Sequence, residues 1–411
     1  MKLGLIGNPL GHSWSPQIHR ILIKEDYQLW QLKEDELDDF FCRRDFDGIN
    51  VTIPYKQTVM KYLDEIDPAA EETGAVNCIV NRGGILKGYN TDYSGLRDML
   101  KGHGVNLQNG RTAILGSGGA SKAAQTAVKA LGGRYDVISR REIPGCISYE
   151  EMYRKQAEYT CLINATPVGM YPECDDVPAD LNAFSSLHHV VDIIANPLRT
   201  RLQWEAKMKG IPYLGGFEML VRQAADADLL FAGTEVSEEK VRECIKCLLA
   251  ARRNIVLIGM PTSGKTTLAS MLREMSGRTV YEMDDEITEK LGTTIAECFA
   301  DKGEAYFRQI ETETAAEHRS ADAAVISCGG GVVKKEINMR YLGENGIIVW
   351  VNRAPRHLFP TDSRPLSTTL EQIEKLYDER VSLYERYSDI TVENNGTLQE
   401  AAAEIIGKTG V

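Results

Sequence analysis

The chain is 411 residues long, 43% hydrophobic and 26% charged, enough for two or three domains that each bury a core. Its formal charge of -12, with acidic side chains outnumbering basic ones in both halves, argues against a nucleic-acid partner. Nine scattered cysteines suit reduced thiols, and no charge-free apolar run reaches membrane-spanning length.

In chain order, "MKLGLIGNPLGHS" opens as a strand and turn without the look of a signal peptide, so a soluble cytoplasmic protein is expected. "KLGLIG", "GINVTI", "RTAILGSG", "YDVISR", "CLINAT" and "HVVDII" read as buried strands, with helical stretches between most of them. That alternation predicts an α/β protein with largely parallel sheets. The turn-rich segment "KGHGVNLQNG" (101–110) separates an N-terminal lobe from a second α/β unit beginning at Arg111.

That unit opens with "TAILGSGGASKAAQTAVKALG" (112–132), a G-x-G-G-x-x-x-A variant of the dinucleotide fingerprint. Gly116 makes the turn. Gly118 and Gly119, with Ala120 beside them, bring the backbone to the pyrophosphate at a helix N-terminus. The next strand ends in Ser139, Arg140 and Arg141, where an NAD enzyme carries Asp or Glu. Two arginines favour the extra phosphate of NADP(H).

Cys244 and Cys247 form a CxxC in a helical pattern with no second pair, a poor zinc or redox site. The helical stretch 238–253 then runs into the strand "NIVLIG" without a flexible linker, placing a boundary near residue 252. The domains expected are 1–105, a substrate lobe closed by helices in 216–250; 106–252, Rossmann-like and NADP-binding; and 253–411, a P-loop fold with a parallel sheet. "GMPTSGKT" (259–266) fits G-x-x-x-x-G-K-[ST] with the strand and helix the motif requires. Gly259 and Gly264 let backbone amides point at ATP phosphates, with Thr267 in the same turn; Lys265 reaches the β- and γ-phosphates, and the Thr266 hydroxyl is a Mg²⁺ ligand.

Residues 1–250 carry "NPLGHSWSP", "GINVTIPYK", "TGAVN", "GYNTD", "INATPVGM" and "GGFEMLVRQA", a series that resembles shikimate dehydrogenase. The resemblance implies that Ser13 and Ser15 bind the substrate carboxylate and that Asn50, Thr52, Asn77 and Gln223 bind ring hydroxyls. It puts Lys56 and Asp92 at the reacting oxygen as an acid/base pair, and Thr166, Gly216 and Met219 around the nicotinamide. Ala195 stands where that family usually has a Tyr, which implies the loss of one carboxylate contact.

After the P-loop, "YEMDDEI", "GEAYFRQIE", "ISCGGGVV", "DSRPL" and "ERVSLYERY" follow in the order and near the spacing of shikimate kinase, which this half resembles. By that resemblance Asp284 meets the acceptor hydroxyls, Arg308 and Arg380 clamp the substrate carboxylate, and Gly330 and Gly331 offer backbone amides. Arg364 in the lid bridges the transferring phosphoryl group. Glu282 replaces a usual Asp near the metal, and His357 a usual adenine-facing Arg.

The whole chain thus resembles a fusion of shikimate dehydrogenase with shikimate kinase: NADPH-dependent reduction of 3-dehydroshikimate, then phosphorylation of the resulting hydroxyl by ATP. Two other readings stay open. One is a regulator or sensor that kept both pockets and lost activity, prompted by Ala195, Glu282 and His357; the other is a quinate-tolerant, NAD-using dehydrogenase joined to the kinase. Small-molecule substrates are expected, and neither nucleic acid nor membrane; the oligomeric state is left open.

Overall fold

The computed structural model describes residues 1–11, 13–360 and 369–411. The chain divides into two compact units, Met1–Leu248 and Leu249–Val411.

The first unit holds two six-stranded sheets. In one, the order is Tyr27–Gln31, Leu3–Gly7, Gly48–Val51, Cys78–Arg82, Ile85–Tyr89, Glu65–Ile66. Only Cys78–Arg82 runs antiparallel to its neighbours. The strand Leu3–Gly7 is buried throughout because both of its faces are covered. Leu3 and Leu5 join a cluster with Tyr27, Cys78, Ala227 and Phe231, while Ile6 joins Phe41, Ile49 and Val51 on the other side.

The second sheet is parallel, in the order Tyr213–Gly215, His189–Asp192, Tyr159–Asn164, Arg111–Leu115, Arg134–Ile138, Cys146–Ile147. Its first strand is central. The chain builds outward from Arg111–Leu115 on one side, then returns to add Tyr159–Asn164 on the other, and ligand crevices form where strand order reverses in this way. The helix Gly216–Ala232 joins the two lobes, with Met219 packed in the cluster of Ile114 and Ala227 and Phe231 in the cluster of Leu3.

In the second unit five parallel strands lie in the order Thr279–Glu282, Ala324–Ser327, Asn254–Ile258, Gly346–Asn352, Ile390–Glu393. Ile255 and Leu257 pack on Leu268 and Leu272 of the helix Lys265–Ser276 and on Ala402 and Ile405 of Leu398–Thr409. Every strand read from the sequence is present in both units, and the sheets are largely parallel as expected.

Among the described residues no helix is long and apolar enough to cross a membrane. All nine cysteines are free; Cys244 is buried and Cys247 exposed.

The helix Glu238–Arg252 starts on a carboxylate that takes bonds from Arg222 Nη1 and Nη2 at 2.8 and 2.9 Å and from Arg242 Nε at 3.0 Å. Hydrogen bonding to Arg222 holds the Glu238 carboxyl down at about 2. A depressed carboxyl contributes stability above its unfolded value, lost as pH falls through its folded value. Glu238→Gln is therefore expected to lower stability by less than about 1 kcal/mol at neutral pH, because the group is partly exposed. In denaturant titrations the gap from the parent protein should close between about pH 5 and pH 2.

Candidate functional site

Lys56 and Asp92 meet as predicted: Lys56 Nζ donates to Asp92 Oδ2 at 2.6 Å, with both side chains partly exposed. Lys56 follows the strand Gly48–Val51, and Asp92 is the first residue of the helix Asp92–Gly102. Asn90 Oδ1 accepts from the Asp92 and Tyr93 amides at 3.1 and 3.4 Å, fixing that helix start, whose dipole favours the carboxylate. Leu96 and Met99 of this helix pack on Ile114 and Ala127 of the second lobe.

Of the side chains assigned to ring hydroxyls, those of Asn50, Asn77 and Gln223 form one network. Asn77 Nδ2 donates to Thr91 Oγ1 and Gln223 Oε1 at 3.1 and 3.3 Å, and the Thr91 amide donates to Asn77 Oδ1 at 2.6 Å. Asn50 Nδ2 donates to the Asn77 carbonyl at 3.2 Å. Gln223 Nε2 donates to the Leu220 carbonyl at 2.9 Å, and the Thr52 amide to the Ile6 carbonyl at 2.9 Å. The Asn77 side-chain amide is thus taken up by its neighbours, and Gln223 Oε1 also takes the Thr91 hydroxyl at 3.2 Å. Ser13 Oγ accepts the Ser15 amide at 3.2 Å, and Trp14 between them packs edge-on against Phe217, 4.9 Å between centroids.

The dinucleotide turn lies where strand order reverses. Gly116 has φ 102°, and a Cβ there would sit 2.9 Å from the Ala165 carbonyl, so only glycine fits. Among the described residues, chain neighbours apart, no atom lies within 4 Å of a Cβ placed on Gly118, and the helix Gly119–Ala130 starts there. Ala120 lies in its first turn. Gly119 is 3.8 Å from the Ala75 methyl group, measured from an added Cβ, and the neighbouring Val76 amide donates to the Lys56 carbonyl at 2.8 Å. The turn therefore backs onto the segment that carries Lys56. Ser139 is buried and takes the Arg141 amide at 3.1 Å; Arg140 and Arg141 are exposed. These residues fit NADP: a glycine cradle, a helix N-terminus and two cations at the second strand's end.

Thr166 is set by a buried relay. Its amide and hydroxyl donate to Asn164 Oδ1 at 3.0 and 2.7 Å, and Asn164 Nδ2 donates to Asp192 Oδ1 at 3.1 Å. Asp192 also takes the Ile194 amide and the Thr200 hydroxyl, at 3.1 and 2.7 Å, while burial pushes its carboxyl up to about 7. Ala195 lies half-buried just beyond this relay. Gly216 is a close approach, since a Cβ there would overlap the Ile193 carbonyl, and Met219 is buried in the apolar cluster.

In the second unit Gly259 has φ 148° and Gly264 φ 96°, and a Cβ at Gly259 would meet the Val351 carbonyl at 2.5 Å. Lys265 is buried and donates to the Gly259 and Met260 carbonyls at 3.0 and 2.9 Å, folded over the loop it serves. Thr266 and Thr267 are exposed in the first turn of the following helix. Thr266 Oγ1 donates to Glu282 Oε2 at 3.2 Å, and burial raises this carboxyl while the Ser327 and Thr266 hydroxyls oppose the shift. A hydroxyl beside a carboxylate fits Mg²⁺, which takes few protein ligands beside water and phosphate. Among the described residues no cluster of three His, Cys, Asp or Glu side chains could hold a metal alone.

Beside the P-loop, Asp284 lies against Gly329, and Arg308 lies against Gly331. Arg380 Nη1 donates to the Gly330 carbonyl at 3.0 Å, and the same oxygen takes the Tyr384 hydroxyl at 2.5 Å. Arg308 Nη1 donates to both oxygens of Glu311, each at 2.8 Å, and its Nε to Glu304 at 3.1 Å. Asp284, Arg308, Gly330, Gly331 and Arg380 are thus brought together. Arg364 lies outside the described residues. His357 is exposed and accepts from Arg356 Nε at 3.2 Å.

Sequence reasoning passed over Thr91 and Asn90, although both lie inside the quoted "GYNTD". It also missed Glu311, Tyr384 and Asp192, although all three lie inside quoted stretches: Glu311 touches Arg308, Tyr384 the Gly330 carbonyl, and Asp192 reaches Thr166 through Asn164.

These features define a class: a dinucleotide-dependent oxidoreductase followed by a P-loop phosphotransferase. Residues 5–79 match the family model for the shikimate dehydrogenase substrate binding domain, and residues 261–409 that for shikimate kinase. The shikimate dehydrogenase (NADP(+)) of Bacillus subtilis strain 168 is 36% identical over 266 residues, covering 59% of this chain and 95% of that one. The Clostridium beijerinckii protein of the same name is 37% identical over 243 residues, or 55% and 89% of the two chains.

Among solved structures, shikimate 5-dehydrogenase from Thermus thermophilus in complex with NADP(H) and shikimate has a TM-score of 0.56 at 30% identity, covering 60% of this chain and 99% of that one. A chorismate mutase/shikimate 5-dehydrogenase fusion protein from Clostridium acetobutylicum gives a TM-score of 0.56 at 34% identity, covering 60% and 96%. The chain belongs to the shikimate dehydrogenase family and carries a shikimate kinase domain after it.

Gly116→Ala is expected to weaken NADPH binding at least about tenfold, since it strains the turn and pushes on Ala165. A fluorescence titration with NADPH measures this, and kinase turnover of the same chain should be unaffected.

Proposed function

We propose that this chain catalyses two consecutive steps of the shikimate pathway: NADPH-dependent reduction of 3-dehydroshikimate to shikimate, then ATP-dependent phosphorylation of the 3-hydroxyl just formed. The observation that carries the reading is the wall shared by the glycine turn and the acid/base pair, through Gly119, Ala75, Val76 and Lys56. It sets dinucleotide chemistry beside a proton donor. Segments 1–105, 106–252 and 253–411 serve in this reading as substrate lobe, NADP domain and kinase.

NADPH, when bound, supplies the hydride for the carbonyl carbon. Lys56 polarises the carbonyl oxygen and gives it a proton, and Asp92, 2.6 Å away, holds the ammonium in place for that transfer. Ser13 and Ser15 hold the substrate carboxylate, while Asn50, Thr52, Asn77 and Gln223 hold ring hydroxyls. Thr166, Gly216 and Met219 shape the nicotinamide side, and Arg140 and Arg141 with Ser139 meet the adenosine 2′-phosphate.

In the kinase, ATP with Mg²⁺ supplies the phosphoryl group. Lys265 leaves its loop carbonyls for the β- and γ-phosphates, and Thr266 with Glu282 holds the metal, partly through water. Asp284 orients the 3-hydroxyl and takes its proton. Arg308 and Arg380 bind the carboxylate, beside the backbone of Gly330 and Gly331, and Arg364 stabilises the charge on the transferring group.

Purified protein given 3-dehydroshikimate, NADPH, ATP and Mg²⁺ is expected to release NADP⁺, ADP and shikimate 3-phosphate. A sensor would bind these compounds and release none of the products. Lys56→Ala should cost the reductase about 10²–10⁴-fold in turnover and leave the kinase intact; Lys265→Ala should do the reverse. Loss of both activities in either variant would contradict two independent sites.

A further inference from the structure

Behind Asn50 lies a buried set of polar side chains that neither reaction uses. His19 on the helix Ser15–Ile23 and Asp228 on the helix Gly216–Ala232 are 1% and 0% exposed, and meet Nδ1 to Oδ1 at 2.6 Å. The His19 ring stacks on Tyr27, with centroids 4.1 Å and planes 11° apart. The Tyr27 hydroxyl donates to Asn50 Oδ1 at 2.7 Å. The other Asp228 oxygen is buried without a hydrogen-bond partner. A polar pair so fully desolvated, with one oxygen unanswered, is a poor source of stability. What it holds in place is the stacked ring of Tyr27.

The geometry settles which atom of Asn50 faces which way. The Asn77 carbonyl can only accept, so the group 3.2 Å from it is the Asn50 NH₂, and the atom facing Tyr27 is the oxygen. Tyr27 must therefore donate. With one N–H on the Asn77 carbonyl and the oxygen on Tyr27, the amide is fixed at both ends. Its second N–H has no partner among the described residues.

We infer that Tyr27, braced by His19 and Asp228, is a positioning residue that fixes Asn50 so that its remaining N–H meets an oxygen of the dehydrogenase substrate. The inference rests on the reading of Asn50 as a substrate contact. Tyr27 touches no reactant. Its effect passes through the orientation of a single amide, and so falls on the binding of the ring hydroxyls and not on hydride or proton transfer.

Tyr27→Phe removes the hydroxyl and keeps the ring on His19. Steady-state kinetics of this variant should show the KM for 3-dehydroshikimate raised about five- to tenfold, the loss of one hydrogen bond, with kcat, the KM for NADPH and the melting temperature near parental values. Asn50→Ala should raise the same KM, and adding Tyr27→Phe to it should raise it no further. Asp228→Asn, which keeps the shape of the brace, should give a smaller rise of the same kind. Additive effects in the double variant, or a Tyr27→Phe enzyme with lower melting temperature and unchanged KM, would show a purely structural residue and overturn the inference. Should Asn50→Ala leave KM unchanged, the reading of Asn50 fails and takes the inference with it. Should Asn50→Ala raise KM while Tyr27→Phe does not, the inference alone fails.

Discussion

A parallel strand buried on both faces can show polar groups only where it ends, and that constraint places both nucleotide turns and several of the polar residues around them. Asn164 and Asp192 are the last residues of their strands, as Glu282 and Ser327 are of theirs. Gly116 and Gly259 each follow a central strand directly, at the point where the chain must leave the sheet. Lys56 lies farther on, five residues past the end of the strand Gly48–Val51. The apolar interiors of Leu3–Gly7, Arg111–Leu115 and Asn254–Ile258 therefore do more than stabilise three sheets, because they leave the ends of these strands as a place for polar groups.

The same constraint explains what could be read in advance. Glycines at strand ends, with a helix behind, announced both nucleotide turns, because no other residue type readily takes so positive a φ against a neighbouring carbonyl. Six of the twelve strands of the first half were legible as apolar runs, though "GINVTI" ends as a strand at Val51, where the Thr52 carbonyl turns to accept from Tyr55. Residues defined by a partner distant in sequence were not legible. Glu311 is one of several acidic residues in the helix Gly303–Glu317, and only the fold shows it buried against Arg308 while its neighbours face water. Tyr27 lies in none of the stretches quoted from the sequence, and only the structure sets it between His19 and Asn50. Asp192 sits inside "HVVDII", and its role appears only with Asn164 and Thr200 in place.

Net charge and local charge pull in opposite directions. The protein is acidic overall, yet the resemblance and the sites point to carboxylates, phosphates and a dinucleotide as ligands. Three of the cations assigned to them are already engaged: Lys265 with loop carbonyls, Arg380 with the Gly330 carbonyl through Nη1, Lys56 with Asp92. At these three, binding in the proposed reading is an exchange of partners and not the capture of a bare charge.

Arg308 is engaged too, its guanidinium shared with a carboxylate of its own chain. With Glu311 bound at 2.8 Å, a carboxylate held by Arg308 in the proposed reading meets a cation already neutralised on one side. In that reading the grip is correspondingly light, and a product that keeps the carboxylate and gains a phosphate is the more readily let go.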